Sequence, residues 1–200
     1  MVTPRVGVLA LQGDVREHQR ILTDLGAHAP RVRTPDDLTG VDALVIPGGE
    51  STTIARLALV LDMLEPLTIA VTSGMPTYGS CAGMILLADR LVDAPADQVT
   101  IGGLHVTVRR NAFGRQVNSF EADLDVAGVS PPPVRAVFIR APWVEDVDPD
   151  VTVLARLGGR EGDGTIVAVE QGPLLATSFH PELTGDVRMH RHFLRLVRSA

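Results

Sequence analysis

Three times in the first ninety or so residues a short apolar run stops at a turn and gives way to a segment with helical spacing. That alternation constrains the fold more than any other feature. "RVGVLALQG", Arg5 to Gly13, is rich in β-branched residues, and in the following "VREHQRILTDLG" Val15, Ile21, Leu22 and Leu25 recur at helical intervals up to Gly26. "VDALVIPGGE", Val41 to Glu50, ends in Pro-Gly-Gly; "STTIARLALVLDMLEPL" then opens with Ser and Thr and reads as one helix to Pro66. "MPTYGS" leads straight into Cys81, with "AGMILLADRL" as the helix behind it. Strands buried on both faces and alternating with helices predict a mostly parallel central sheet with helices on both faces, a three-layer α/β sandwich.

From about Leu104 the pattern shortens to "LHVTVRR", "VRAVFIRAP", "VTVLARL", "TIVAVEQG" and "LLATSF". These predict antiparallel strands added at one side of the sheet in the C-terminal half, with "GREGDG" as a hairpin turn. A last helix is expected from about Asp186 to Val197. "GVSPPPV", Gly128 to Val134, is a proline-rich loop too short for a linker, so residues 1–200 are expected to form a single domain, and 45% apolar residues suffice for its core. A formal charge of −6 offers no electrostatic footprint for nucleic acid, and no basic amphipathic segment points to a membrane. One cysteine excludes an internal disulfide and a zinc site built on several thiolates. With no signal-like start, the expected location is a reducing cytoplasm.

Functional groups of open α/β sheets gather at the carboxyl ends of strands. Cys81 is expected there, between Gly79 and Gly83 in "PTYGSCAGM". That spacing has the logic of a nucleophile elbow: a tight turn lifts the side chain above the sheet, and glycines clear the space around it. A helix starting at the next residue puts the sulfur near the positive end of a dipole, which favours an anion there. A lone cysteine also serves as a small buried hydrophobe, so by itself Cys81 leaves both roles open. Among the six histidines, His180 stands apart: it follows the apolar run "LLATSF", and Pro181 keeps that strand from continuing. Glu182 is spaced to accept from the imidazole and hold its tautomer. Cys81, His180 and Glu182 are thus the candidate nucleophile, base and orienter. His190 and His192 are expected to be solvated on a charged helix face, and His18 and His28 to lie on the surface of the first strand–helix unit. In "IPGGES", glycines at a strand end can aim backbone N–H groups into a cleft, which makes Gly49 and Ala82, the residue after the cysteine, the natural oxyanion donors. The same stretch also makes a plain turn.

Taken in order, Pro-Gly-Gly, Gly-x-Cys-x-Gly about thirty residues later and His-Pro-Glu near the C-terminus resemble the triad, or class I, glutamine amidotransferases. "LALQGD", "PGGEST", "GSCAGM", "RNAFGRQVNSFEADL", "FIRAP" and "SFHPELTGD" resemble, more narrowly, the glutaminase subunits of pyridoxal 5′-phosphate synthases, in blocks spread over nearly the whole chain. The resemblance implies hydrolysis of L-glutamine to glutamate and ammonia. The ammonia would pass to a separate synthase subunit that combines it with ribose 5-phosphate and glyceraldehyde 3-phosphate. It also implies that Gly49, Glu50, Ser51, Arg110, Ile139 and Arg140 bind glutamine, and that the subunit has no cofactor or metal of its own. Docking into a large hetero-oligomer with the synthase is implied too, with Gln12 and its polar neighbours on the sheet edge facing that partner. A glutaminase of another pathway, such as imidazole glycerol phosphate synthase, shares the triad and the fold, but "RNAFGRQ" and "FIRAP" argue against it. A non-catalytic relative with a redox-sensing cysteine would leave His180 idle.

Overall fold

The computed structural model describes residues 3–113, 119–158 and 164–199. Its first half runs β1 (Val6–Leu9), α1 (Val15–Asp24), β2 (Arg31–Val32), α2 (Pro35–Thr39), β3 (Ala43–Ile46), α3 (Ser51–Val60), α4 (Leu64–Thr72), β4 (Thr77–Ser80) and α5 (Ala82–Leu87). β1 pairs in parallel with β3, and β3 with β4. Alternate side chains of each strand serve opposite faces. Leu9, Leu44 and Ile46 pack with Ile54, Leu67 and Leu86 from α3, α4 and α5. Val6, Val8, Ala43 and Val45 pack with Leu22 of α1 and, from the C-terminal helix, Phe193. With both faces covered, β1 and β3 have no position at which a polar side chain reaches water, hence their unbroken apolar sequences.

The second half runs β5 (Ala88–Val92), β6 (Leu104–Arg109), β7 (Ser119–Leu124), β8 (Val134–Ile139), β9 (Trp143–Val147), β10 (Thr152–Leu157), β11 (Thr165–Gln171), β12 (Leu174–Thr177), a 3₁₀ turn at Pro181–Leu183 and α6 (Arg188–Ser199). The main sheet has the order β2-β1-β3-β4-β12-β11-β9-β6-β5, with β10 also paired to β11. β7 and β8 form a separate antiparallel ribbon whose Leu124, Ala136 and Phe138 join the core beneath α1 and α6. The expected mostly parallel sheet with helices on both faces and antiparallel additions is thus observed. Among the described residues no helix is long and apolar enough to cross a membrane.

Several local expectations change. The segment expected as one helix to Pro66 is two, because Asp62 adopts φ 52° and breaks the chain between α3 and α4. Pro66 lies in the first turn of α4, where a missing N–H costs nothing, so it helps to start a helix rather than end one. "AGMILLADRL" is helical only to Leu87 and continues as β5. All six residues of α5 are buried, so no amphipathic stripe marks its end. "LLATSF" supplies β12, which is not a peripheral antiparallel strand: it is inserted beside β4, parallel to it, and antiparallel only to β11. Its four residues are fully buried, which suits a central position. The "GREGDG" turn lies outside the described residues except for Gly164, although β10 and β11 do pair antiparallel.

Candidate active site

The carboxyl ends of β1, β3 and β4 and the segment after β12 meet at a cavity of about 290 Å³, lined among others by Gln12, Asp14, Gly49, Cys81, Arg110 and His180. Cys81 follows β4 at φ 48° and ψ −99°, a conformation that side-chain-bearing residues avoid. Two contacts hold it there. Its N–H donates to the Thr177 carbonyl at 2.7 Å, tying the turn to β12. The flanking glycines allow α5 to approach the sheet: a Cβ on Gly79 would stand 2.5 Å from the Gly83 carbonyl carbon, and one on Gly83 would stand 3.1 Å from the carbonyl carbon of Ile46 in β3. Ala82 is the first residue of α5, where backbone N–H groups have no partner within the helix.

His180 is brought to the cavity by the central insertion of β12. Its backbone N–H donates to the Val137 carbonyl of β8 at 2.9 Å. Its Nδ1 lies 2.7 Å from Glu182 Oε1 and 3.4 Å from Asp14 Oδ2. Burial works against a charged ring here, but hydrogen bonding with Asp14, Cys81 and Glu182 outweighs it, and the imidazole is pushed up to about 12. Glu182, on the 3₁₀ turn, stands behind His180 with a fully buried side chain. Burial alone would protonate it; the His18 and His180 rings reverse that and hold it far below the usual carboxylate range. Asp14, His180 and Glu182 bring ligand-type atoms within 4.8 Å of one another. Of these atoms, His180 Nδ1 and Glu182 Oε1 are engaged with each other.

Gly49 lines the cavity, and a Cβ there would meet Gln12 Oε1 at 2.6 Å. Gln12 Oε1 accepts from the Glu50 N–H at 2.8 Å, so the first strand end buttresses the second. Glu50 caps α3: its carboxylate accepts from Thr53 N at 2.7 Å and Thr52 N at 3.3 Å, and from both hydroxyls. Burial opposes this charge, but those bonds outweigh it and hold Glu50 down to about 2. The expected Ser/Thr cap is therefore supplied by Glu50, and Ser51 instead donates its hydroxyl to Gln98 Oε1 at 3.1 Å. Arg110 has a side chain 11% exposed, an Nε with no partner among the described residues, and one amino group 3.4 Å from Glu50 Oε1. Ala112 N donates to Ala141 O at 3.0 Å, which brings the Arg110 loop against Ile139 and Arg140, and both of these line the cavity. Arg140 itself sits at φ 43°. Residues 114–118 of the "RNAFGRQVNSFEADL" block lie outside the described residues.

Every sequence-predicted site residue lines the cavity except Glu182 and Ala82, which stand immediately behind His180 and Cys81. Asp14 was not foreseen; its only signal was a carboxylate just past a strand-end glycine. The histidine expectations need correction. His28 is exposed as expected, but His18 and His190 are fully buried and His192 is 8% exposed. His18 and His190 bond to each other at 2.8 Å, and His192 Nε2 bonds Glu170 at 2.6 Å. Pairing with other polar groups is what lets these polar-looking positions enter the core.

A cysteine lifted from a strand end, a histidine sharing its cavity, a carboxylate behind that histidine and backbone donors beside it form a constellation able to open an amide on an open α/β sheet. The model of the SNO glutamine amidotransferase family matches residues 8–199, and the chain belongs to that family. It is 63% identical over 200 residues to "Pyridoxal 5′-phosphate synthase subunit PdxT" of Frankia alni, covering 100% of this chain and 98% of that protein. The protein of that name from Parafrankia is 63% identical over 199 residues, covering 100% of this chain and 96% of that one. A solved structure described as a glutamine amidotransferase superposes with a TM-score of 0.88 at 49% identity, covering 96% of this chain and 98% of that one.

Proposed function

We propose that the chain, as one class I glutamine amidotransferase domain, hydrolyses L-glutamine to L-glutamate and ammonia and passes the ammonia to the synthase subunit of a pyridoxal 5′-phosphate synthase. The observation that carries this reading is Cys81, held at φ 48° on a strand end and sharing a cavity with His180, whose Nδ1 lies 2.7 Å from Glu182. The names of the Frankia and Parafrankia relatives support the pathway and the partner.

In this mechanism the Cys81 proton has already passed to His180, which holds it firmly as an imidazolium, and the sulfur attacks the side-chain carboxamide carbon. The oxyanion is held by the N–H groups of Gly49 and Ala82. His180 returns the proton to the departing ammonia, leaving a γ-glutamyl thioester on Cys81. A water molecule, deprotonated by the same imidazole, hydrolyses the thioester and releases glutamate. Glu182 keeps His180 in one tautomer and orientation throughout. For binding, Arg110 has unused donors for the α-carboxylate, Glu50 offers an acceptor for the α-ammonium, and Ser51, Ile139 and Arg140 complete the wall. Gln12 and Asp14, just past the end of β1, line the cavity, which suits a partner docked on that sheet edge within a large hetero-oligomer.

The test is reconstitution with a synthase subunit, following pyridoxal phosphate made from glutamine and, separately, from an ammonium salt. Cys81→Ala abolishes the first and spares the second; survival of both overturns the mechanism. Equal glutaminase rates with and without the synthase would refute dependence on docking.

A further inference from the structure

We propose that His18, backed by His190, is a positioning residue of the triad: its Nε2–H faces the second oxygen of Glu182 and keeps that carboxylate ionised and aimed at His180 through the whole cycle. The inference rests on the glutaminase reading of the site.

The Glu182 side chain is out of reach of solvent, and a buried charge persists only where neighbours compensate it. Oε1 has His180 Nδ1 at 2.7 Å. Among the described residues Oε2 accepts no hydrogen bond, and it faces His18 Nε2 at 3.6 Å, an ion-pair distance. His18 comes from α1 and is fully buried. Its Nε2 also lies 3.1 Å from Ser80 Oγ on β4, and its Nδ1 lies 2.8 Å from Nε2 of His190 on α6. Both rings stand edge-on to Tyr78 of β4, at centroid distances of 6.3 Å and 5.7 Å. The Tyr78 hydroxyl is engaged with Thr177 Oγ1 at 3.0 Å. Glu182 from the 3₁₀ turn, His190 from α6 and Tyr78 from β4 are thus the titratable groups around His18, and burial holds the Tyr78 phenol far above its ordinary range. Glu182 is the anion among them.

The position of the proton follows by elimination. Only one N–H fits between His18 Nδ1 and His190 Nε2. If His190 donates, His18 carries its own proton on Nε2, toward Glu182. If His18 donates from Nδ1, a bare Nε2 would set a lone pair against a carboxylate, so Nε2 is protonated as well and the ring is a cation. In either state an N–H faces Glu182 and Ser80. Among the described residues His190 Nδ1 has no partner, which favours the first state at rest, because a bare buried nitrogen costs less than a buried N–H without an acceptor. Burial and the adjacent His18, opposed by Glu182, push His190 down to about 3.

The consequence for turnover lies in the step where His180 gives its proton to ammonia. Glu182 then faces a neutral imidazole, and without His18 one neutral N–H would be all that held a buried carboxylate. It would take up a proton or swing away, and His180 would lose the orientation needed to activate water.

The experiment uses the full chain in complex with a synthase subunit and compares His18→Leu, which removes the N–H at similar size, with His18→Gln, which keeps an amide donor. His18→Leu is expected to lower kcat roughly 10- to 100-fold with the glutamine KM changed less than about twofold, and to move the acid limb of the kcat profile to higher pH. His18→Gln recovers most of the loss. No loss in His18→Leu, or an equal loss in both variants, overturns the proposal. Should His18→Leu fail to fold, nitrogen NMR of the wild-type histidines decides the matter alone: Nε2 of His18 protonated throughout the active pH range is the expected result, and a bare Nε2 overturns it. The Cys81→Ala assay tests the underlying glutaminase reading separately, since the proton state of His18 is read without turnover.

Discussion

Gly48 packs against the imidazole of His180 so closely that a Cβ on it would stand 2.7 Å from Nδ1 and nearer still to Cε1. The Pro-Gly-Gly turn therefore leaves the space that the His180 ring fills. Gly48→Ala should displace His180 and lower kcat by roughly 100-fold. The overpacking should cost about 1–3 kcal/mol of stability, measured by urea unfolding. Full activity in a folded Gly48→Ala protein would show that His180 has room to shift.

Cys81 carries backbone strain that the fold sustains for the sake of its side chain. At φ 48° a glycine is unstrained, whereas any other side chain meets steric resistance. Cys81→Gly should thus be more stable than Cys81→Ala by about 1 kcal/mol, although both lack the sulfur and neither turns over glutamine. Paired chemical denaturation curves check this, and equal midpoints would mean that the turn relaxes in the variants.

Among the described residues Arg110 reaches the cavity with its Nε unpartnered and with only a 3.4 Å contact to Glu50. A guanidinium so lightly engaged suits a ligand carboxylate. Arg110→Ala should raise the KM for glutamine roughly 10- to 100-fold, the worth of a charge-assisted hydrogen bond, with a smaller effect on kcat. Steady-state glutaminase kinetics in the complex measure both, and an unchanged KM would place the α-carboxylate elsewhere.

His190 ties stability to pH in a stated direction. Burial, with His18 beside it, pushes its imidazole down to about 3 from the ordinary 6.5, against the pull of Glu182. The unfolded chain binds this proton more readily than the folded one, so the residue leaves stability intact above about 6.5 and lowers it as the pH falls from there toward 3. Replacing it by Gln removes that dependence. The stability of the wild type relative to His190→Gln should therefore decline with falling pH, and curves that stay parallel from neutral to acid would contradict it.

Much of the protein was legible in its residues. The three apolar runs and the helical segments behind them define the strand–helix units, because periodicity and chain-breaking glycines act within a few residues. The elbow was legible for the same reason: Gly79 and Gly83 must be small to let α5 meet β3 and β4. His-Pro-Glu could be read too, since only Pro181 separates the ring from its carboxylate. Three-dimensional pairing decided the rest. No sequence window contains the choice that inserts β12 beside β4, yet that insertion brings His180 to Cys81 from nearly a hundred residues away. Nor does any window show that His18 and His190, charged-looking in their own helices, bury each other beneath Glu182, or that Asp14 reaches His180. Burial of a polar group is settled by the partner it finds, and these partners come from distant segments of chain that only the folded sheet brings within a hydrogen bond of one another.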